Sequence, residues 1–259
     1  MLKSNDKNFI IGNIKDKINL AKKRNKIQNT VFFTETEKAL IEKELRNLKE
    51  ENYFFFGGYP DAEREVLIIY PEKFSEEIAK DNLNNIVKVI KIKLPNELIG
   101  KYNHSSYLSS LMKLGLERER FGDIICFDDE AYIILLSENA EYIKENLSHL
   151  TKFKKANIEI INIDKIKIKP KEFEELKIIV SSNRLDNFVA ELAKASRSKA
   201  EEYILSERVL INNIVELKVS KKIKLRDKIT IRGKGKFIID EFIGNNKKEK
   251  EIYLVKKYI

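Results

Sequence analysis

The spacing of apolar residues changes character at Tyr53. Upstream, residues 6–23 place Phe9, Ile10, Ile14, Ile18 and Leu20 along one stripe among lysines, the pattern of an amphipathic helix. Thr34 then stands three positions before Glu37, the separation at which a hydroxyl and a carboxylate satisfy free donors at a helix start. Ala39, Leu40, Ile41 and Leu45 continue that helix. Residues 1–50 are therefore expected to form a small helical N-terminal unit. From Tyr53 onward the runs are short, branched and aromatic: residues 53–56 and 65–70 predict two strands joined through Gly57-Gly58-Tyr59-Pro60-Asp61.

The pattern then alternates. Helices are expected over 75–83, 105–114 and 139–147, and strands over 86–94, 123–127, 131–136 and 158–168. Strands interspersed with helices predict an α/β middle domain over 51–178, with helices packed on a sheet and the lysine-rich tract 152–177 leading into a linker. The last segment, 181–259, opens with Leu185, Phe188, Val189 and Leu192 at i, i+3, i+4 and i+7, one helix with one buried face. A second helix follows Ser198, with Glu201 at capping-box spacing and Ala200, Tyr203 and Ile204 inward. Short strands over 209–211, 214–219, 229–231, 236–240 and 252–255 complete two helices backed by a small twisted sheet. The whole chain is expected to be α+β.

Composition narrows the function. The longest uncharged apolar runs fall far short of the ~20 residues a membrane-spanning helix needs, and the N-terminus lacks the apolar stretch of a secretory leader; a cytoplasmic protein is expected. Cys126, His104 and His149 are the only thiol and imidazoles in 259 residues, too few for the usual transition-metal sites, so no metal or other cofactor is expected. The formal charge is +9, part of which reflects the Ile-, Asn- and Lys-rich habit of an AT-rich coding sequence. Its distribution is more telling: residues 181–259 carry 19 Lys and Arg against 11 Asp and Glu, leaving near neutrality elsewhere. A field concentrated on one module favours polyanions.

Within that module, Ser196-Arg197-Ser198-Lys199 puts two cations at the start of a helix. There they oppose the helix dipole at a cost of ~0.3 to 1 kcal/mol each. An incoming phosphate reverses the sign, because free backbone N–H groups, serine hydroxyls, Arg197 and Lys199 together make a phosphate cradle, which Arg184 joins if the two helices pack side by side. Gly233-Lys234-Gly235-Lys236 lacks the Gly-Lys-Ser/Thr ending of a nucleotide-binding loop and is expected to be a basic hairpin against backbone phosphates.

Arg184-Leu185-Asp186, Ser196-Arg197-Ser198-Lys199-Ala200, Arg208-Val209, Asn212 and Asp227-Lys228-Ile229 resemble the S-four, or alpha-L, RNA-binding domain over residues 182–240. Three glycines usual in that pattern are replaced here by Glu207, Asn213 and Arg226. Residues 56–64, Phe56-Gly57-Gly58-Tyr59-Pro60-Asp61-Ala62-Glu63-Arg64, and 115–124, Gly115-Leu116-Glu117-Arg118-Glu119-Arg120-Phe121-Gly122-Asp123-Ile124, resemble signature segments of the YlmH-like proteins. His104 matches a family histidine, whereas the Arg-Asp usual after it is Ser105-Ser106 here.

The resemblance implies an RRM-like middle domain and a C-terminal S-four domain. It also implies association with the large ribosomal subunit, in rescue of stalled translation, and a link to cell division. The RNA contacts it suggests are Arg184, Asn187, Ser196, Arg197, Ser198, Lys199, Arg208 and Asn212, with Lys234 and Lys236 of the hairpin. Arg64, Arg118 and Arg120 are candidates for a second surface, weighed against simple charge pairing along Glu117-Arg118-Glu119-Arg120. The expected partners are structured RNA, ribosomal or transfer, and the large subunit. No catalytic residue is expected. Two alternatives stay open: an RNA-modifying enzyme such as a pseudouridine synthase, whose catalytic Asp sits in a tripeptide like Arg184-Leu185-Asp186, and an adaptor bound to a division-site protein.

Overall fold

The computed structural model describes residues 4–259, with side chains from Asn8 onward. Met1-Leu2-Lys3, at the start of the segment expected not to be a secretory leader, lies outside them. The chain forms two compact units, residues 1–169 and 170–259.

The first unit begins with α1 (Ser4–Arg24), β1 (Gln28–Thr34), α2 (Glu35–Asn47), β2 (Tyr53–Phe56) and β3 (Arg64–Ile69). The capping box at the start of α2 is present: Thr34 accepts from the Glu37 amide and the Glu37 carboxylate accepts from the Thr34 amide. The expected helical unit over 1–50 is corrected by β1, which pairs antiparallel with β3 in a sheet of order β1-β3-β2. Alternation then sends Phe33, Leu67 and Ile69 to one face, under Ile14 and Ile18 of α1 and Ile41 and Leu45 of α2. Phe32, Val66 and Ile68 go to the other.

After α3 (Glu76–Asp81) and α4 (Leu83–Ile86), the unit continues as β4 (Val87–Lys93), α5 (His104–Lys113), β5 (Phe121–Cys126), β6 (Glu130–Leu136), α6 (Ala140–His149) and β7 (Asn157–Ile161). These strands form a second antiparallel sheet, β5-β6-β4-β7, in βαββαβ connectivity. Ile90, Ile92, Ile133 and Leu135 pack under Tyr107, Leu111, Ile143 and Leu147 of α5 and α6. The opposite face, with Val87, Val89, Tyr132 and Ile134, packs on Phe32, Val66 and Ile68 of the first sheet. Two sheets thus lie face to face between two layers of helices, and the non-helical face of the βαββαβ sheet is covered.

The second unit comprises β8 (Phe173–Val180), α7 (Leu185–Ala193), α8 (Arg197–Leu205), β9 (Val209–Ile211), β10 (Ile214–Val215), β11 (Lys228–Ile231), β12 (Gly235–Asn245) and β13 (Glu251–Tyr258). Its sheet runs β10-β9-β11-β12-β13-β8. Leu185, Phe188, Val189 and Leu192 of α7 and Ala200 and Ile204 of α8 pack on Val209, Ile229, Phe237, Ile239 and Val255. The boundary expected at 178/181 is corrected: Phe173–Val180 is a strand of this unit, paired along its length with β13. Glu207, Asn213 and Arg226, which replace the usual glycines, all take left-handed backbone angles, with φ of 61°, 66° and 70°. The turns are kept although their side chains disfavour them. Among the described residues no helix is long and apolar enough to cross a membrane.

Candidate nucleic-acid interface

The chain enters α7 at Arg184 and α8 at Ser196. Ser196, not Ser198, caps α8: its Oγ accepts from the Lys199 amide at 3.3 Å, which makes Arg197, Ser198 and Lys199 the first three helical residues. Ser196 through Lys199 are exposed, with the two serine hydroxyls 3.1 Å apart. The first amides of a helix have no intrahelical acceptor, so the first turn of α8 offers donors to solvent or to an anion.

Arg184 and Arg197 meet at Asp186. That residue is fully buried, yet its carboxylate reaches both arginines: Nε and Nη2 of Arg184 donate to its two oxygens at 3.0 Å each, and Nε of Arg197 donates to Oδ2 at 2.9 Å. Burial pushes the Asp186 carboxyl up, but hydrogen bonds from Arg184 and Arg197 reverse this and hold it below the usual carboxylate range. The same hydrogen bond raises the pKa of Arg184. Each guanidinium keeps an exposed edge, with side-chain exposures of 34% for Arg184 and 57% for Arg197.

Other predicted contacts are distributed unevenly. Lys199 lies over the Tyr203 ring and donates to Glu202 at 2.7 Å, so part of its charge is already balanced. Arg208 stacks on the same ring, 4.6 Å from its centre, and donates to the Arg232 carbonyl; Lys234 is exposed on the adjoining β11–β12 turn and Lys236 lies at the start of β12. Asn187 is buried and donates to the Ser182 Oγ and carbonyl, a brace rather than a surface group. Asn212 bridges Asp227 and the Lys228 amide, fixing a turn. One cation escaped the sequence reading: Lys222 lies opposite Arg184 in a single β-bridge, and the only sequence cue is the basic pair Lys221-Lys222.

The proposed second surface is different in character. Arg64, Arg118 and Arg120 line one cavity of the first unit rather than an open face. Arg120 pairs with Glu138 and Glu117, in line with charge pairing, while Arg118 donates to the Phe121 and Gly122 carbonyls. The two glycine-bearing segments meet here, the Tyr59 hydroxyl and the Glu63 amide both donating to Asp123 at 2.8 and 2.7 Å. Gly57 is required by space, since a Cβ there would stand 2.3 Å from that of Ala62.

Comparison with known proteins agrees with this layout. Residues 183–229, from the entry to α7 through the start of β11, match the S4 domain family. Residues 84–169, the βαββαβ layer, match a family described as "Putative RNA-binding domain in YlmH". This is a YlmH-like chain with an S4 domain toward its C-terminal end. A curated relative, "Ribosome-associated protein quality control protein P2" of Bacillus subtilis (strain 168), is 28% identical over 196 residues, 76% of this YlmH-like chain and 74% of the relative. A solved structure titled "Cell division protein ylmH from Streptococcus pneumoniae" has 17% sequence identity and a TM-score of 0.50, and the match covers 64% of this chain and 98% of that one. The matched domains and the curated relative assign the YlmH-like chain an RNA-binding role.

Proposed function

We propose that this chain is a noncatalytic cytoplasmic protein that docks on structured RNA of the large ribosomal subunit, ribosomal or transfer RNA, in the rescue of stalled translation. The observation that carries the reading is the paired guanidinium edge of Arg184 and Arg197, fixed on buried Asp186 beside the exposed first turn of α8. Arginine forks held in this way match phosphate oxygens without further ordering, and they report backbone shape rather than base sequence, as recognition of folded RNA requires. Ser198, Lys199, Arg208, Lys222 and Lys234 extend the contact. The curated relative's ribosome-associated name supports the choice of partner.

The βαββαβ connectivity and the β5-β6-β4-β7 order support an RRM-like middle domain. Its sheet face is spent on the first sheet, so in this reading it orients the S4 domain instead of stacking bases. The pseudouridine-synthase alternative loses ground at Asp186, whose buried carboxylate is engaged by two arginines and is not presented to a substrate.

The test is co-sedimentation of the full chain with separated ribosomal subunits at low and moderate salt, wild type against Arg197→Ala with Lys199→Ala. The expected result is retention on the large subunit that the double substitution abolishes. Equal retention of both proteins, or none of either, overturns the reading.

A further inference from the structure

The cavity of the first unit has about 710 Å³ of space, within the ~300–1,000 Å³ typical of small-molecule sites, and nothing in the proposed ribosome docking uses it. Its electrostatics are unusual. Arg64 and Arg118, from the two segments that meet at Asp123, are both drawn out of solvent. Burial, and then the like charge of Arg64, pushes the Arg118 guanidinium down to about 10, and burial also lowers that of Arg64. Lys17, reaching in from α1, is lowered by burial as well.

Three nearby acids are already engaged, whereas Glu119, which also lines the cavity, adds a carboxylate beside Arg64. Glu37 accepts from the amide and hydroxyl of Thr34, Asp123 from Tyr59 and Glu63, and Glu138 from Arg120. Arg64 donates from Nη2 to the Phe32 carbonyl at 3.0 Å, yet its Nε is buried with no acceptor. A buried donor left without an acceptor is costly and adds to the cost of holding this cation out of water. The remaining walls are mixed, with Ile10, Ile14 and Phe32 beside Asn13, Asn29 and Thr30, and at the lining stands Phe9, which is 73% exposed. An exposed phenyl beside a pocket that holds two half-buried arginines offers a face on which a flat base stacks.

We propose that this cavity binds a nucleotide carrying a phosphate monoester, with the phosphate on Arg64 and Arg118 and the base against Phe9. The phosphate accepts from the guanidinium edges of Arg64 and Arg118 that line the cavity and relieves the like-charge pair. The ligand is either a free nucleotide or the 5′-phosphorylated end of an RNA, which present the same group. The site lies outside the S4 domain, and its occupancy is independent of ribosome docking.

The test follows the Arg64 Nε–H resonance by NMR in the full chain during titration with adenosine 5′-monophosphate, with adenosine, and with a trinucleotide bearing a 5′-phosphate or a 5′-hydroxyl. The expected result is a saturable shift with the phosphorylated probes and none with adenosine or the 5′-hydroxyl trinucleotide. A shift with the monophosphate identifies the free nucleotide as sufficient; a shift with the phosphorylated trinucleotide alone identifies the RNA end. Arg118→Gln should weaken binding about tenfold or more, as removal of a charge-assisted hydrogen bond does. Should that variant fail to fold, Lys17→Glu, changed on the half-buried face of α1, is expected to weaken binding to the same degree. An Arg64 resonance unmoved by both phosphorylated probes, or affinity unchanged in the folded variants, overturns the proposal. The readout is local to Arg64, so the sedimentation result does not bear on it.

Discussion

Arg197 Nη2 lies 2.7 Å from Oδ2 of Asp186, a carboxylate with no exposed surface, and this one ion pair ties the start of α8 to the start of α7. A carboxylate beneath two arginines weakens a site's net positive field, so its presence needs a reason other than charge. The reason is geometry. Both guanidinium planes are set before a ligand arrives, and the rotamer entropy otherwise lost on binding is already spent in folding.

Asp186→Asn is therefore expected to weaken RNA binding although the residue faces the protein interior. It raises the net charge by one, which favours RNA, yet frees both arginines and costs about 2 kcal/mol of fold stability by removing charge-assisted hydrogen bonds. Filter binding to ribosomal RNA at fixed salt checks the direction. Tighter binding by the Asn variant would show that field, not geometry, governs the site.

The same carboxylate sets the acid-side behaviour of the fold. Because Asp186 titrates below its ordinary value in the folded chain, the unfolded chain takes up the proton first as pH falls. Its contribution is thus complete above the unfolded carboxylate value of about 3.9 and is lost as pH drops through the lower folded value. Thermal melts of wild type and Asp186→Asn should differ by a constant amount between about pH 7 and 5 and converge below about pH 4. A gap that persists undiminished at the acid end would contradict the assignment.

What could be read from the sequence was local. The capping box at Thr34, the α7 face of Leu185, Phe188, Val189 and Leu192, and the strand–helix alternation of the middle segment are written in adjacent residues and appear in the fold. β1 escaped because Val31, Phe32 and Phe33 are a short apolar run between two helical patterns, and their strand state is decided by a partner, β3, beyond α2 and β2. β8 escaped for a different reason. It is an edge strand, and Glu174, Glu175 and Lys177 give it the charged composition of a linker, which also protects the open edge from pairing with other chains. At the site, the sequence put the cap at Ser198 where the fold has Ser196, because both serines precede the same apolar run, and it did not foresee that Asn187 turns inward to Ser182. The cavity at Arg64 and Arg118 arises from tertiary approach alone.

Glu207 offers a stability test. A left-handed conformation costs a side-chain-bearing residue about 1–2 kcal/mol relative to glycine, partly offset by the larger entropy glycine loses on folding. Glu207→Gly is expected to stabilise the second unit by about 0.5–1 kcal/mol, while Glu207→Val, with a branched side chain at φ 61°, should destabilise it. Chemical denaturation of the two variants checks both signs, and a destabilised Gly variant would mean that the Glu207 side chain contributes more than the turn costs.

The two cations of the α8 start, which the sequence treats as equals, should behave differently on RNA. Arg197 is held on Asp186 with its outer edge exposed, whereas Lys199 is paired with Glu202 and stacked over Tyr203. A phosphate displacing counterions meets a ready donor at the first and must compete with a carboxylate at the second. Removing one phosphate-neutralising cation lowers the slope of log affinity against log salt by about 1. Arg197→Ala should flatten that slope by about this amount and weaken binding across unrelated structured RNAs alike, because the interaction is with the backbone. Lys199→Ala should change it less, and Glu202→Gln, which releases Lys199, should steepen it. Affinities measured across a salt series for the three variants decide the matter: equal slopes for Arg197→Ala and Lys199→Ala would mean that the Glu202 pair opens freely on binding, and an unchanged slope for Arg197→Ala would remove that residue from the interface.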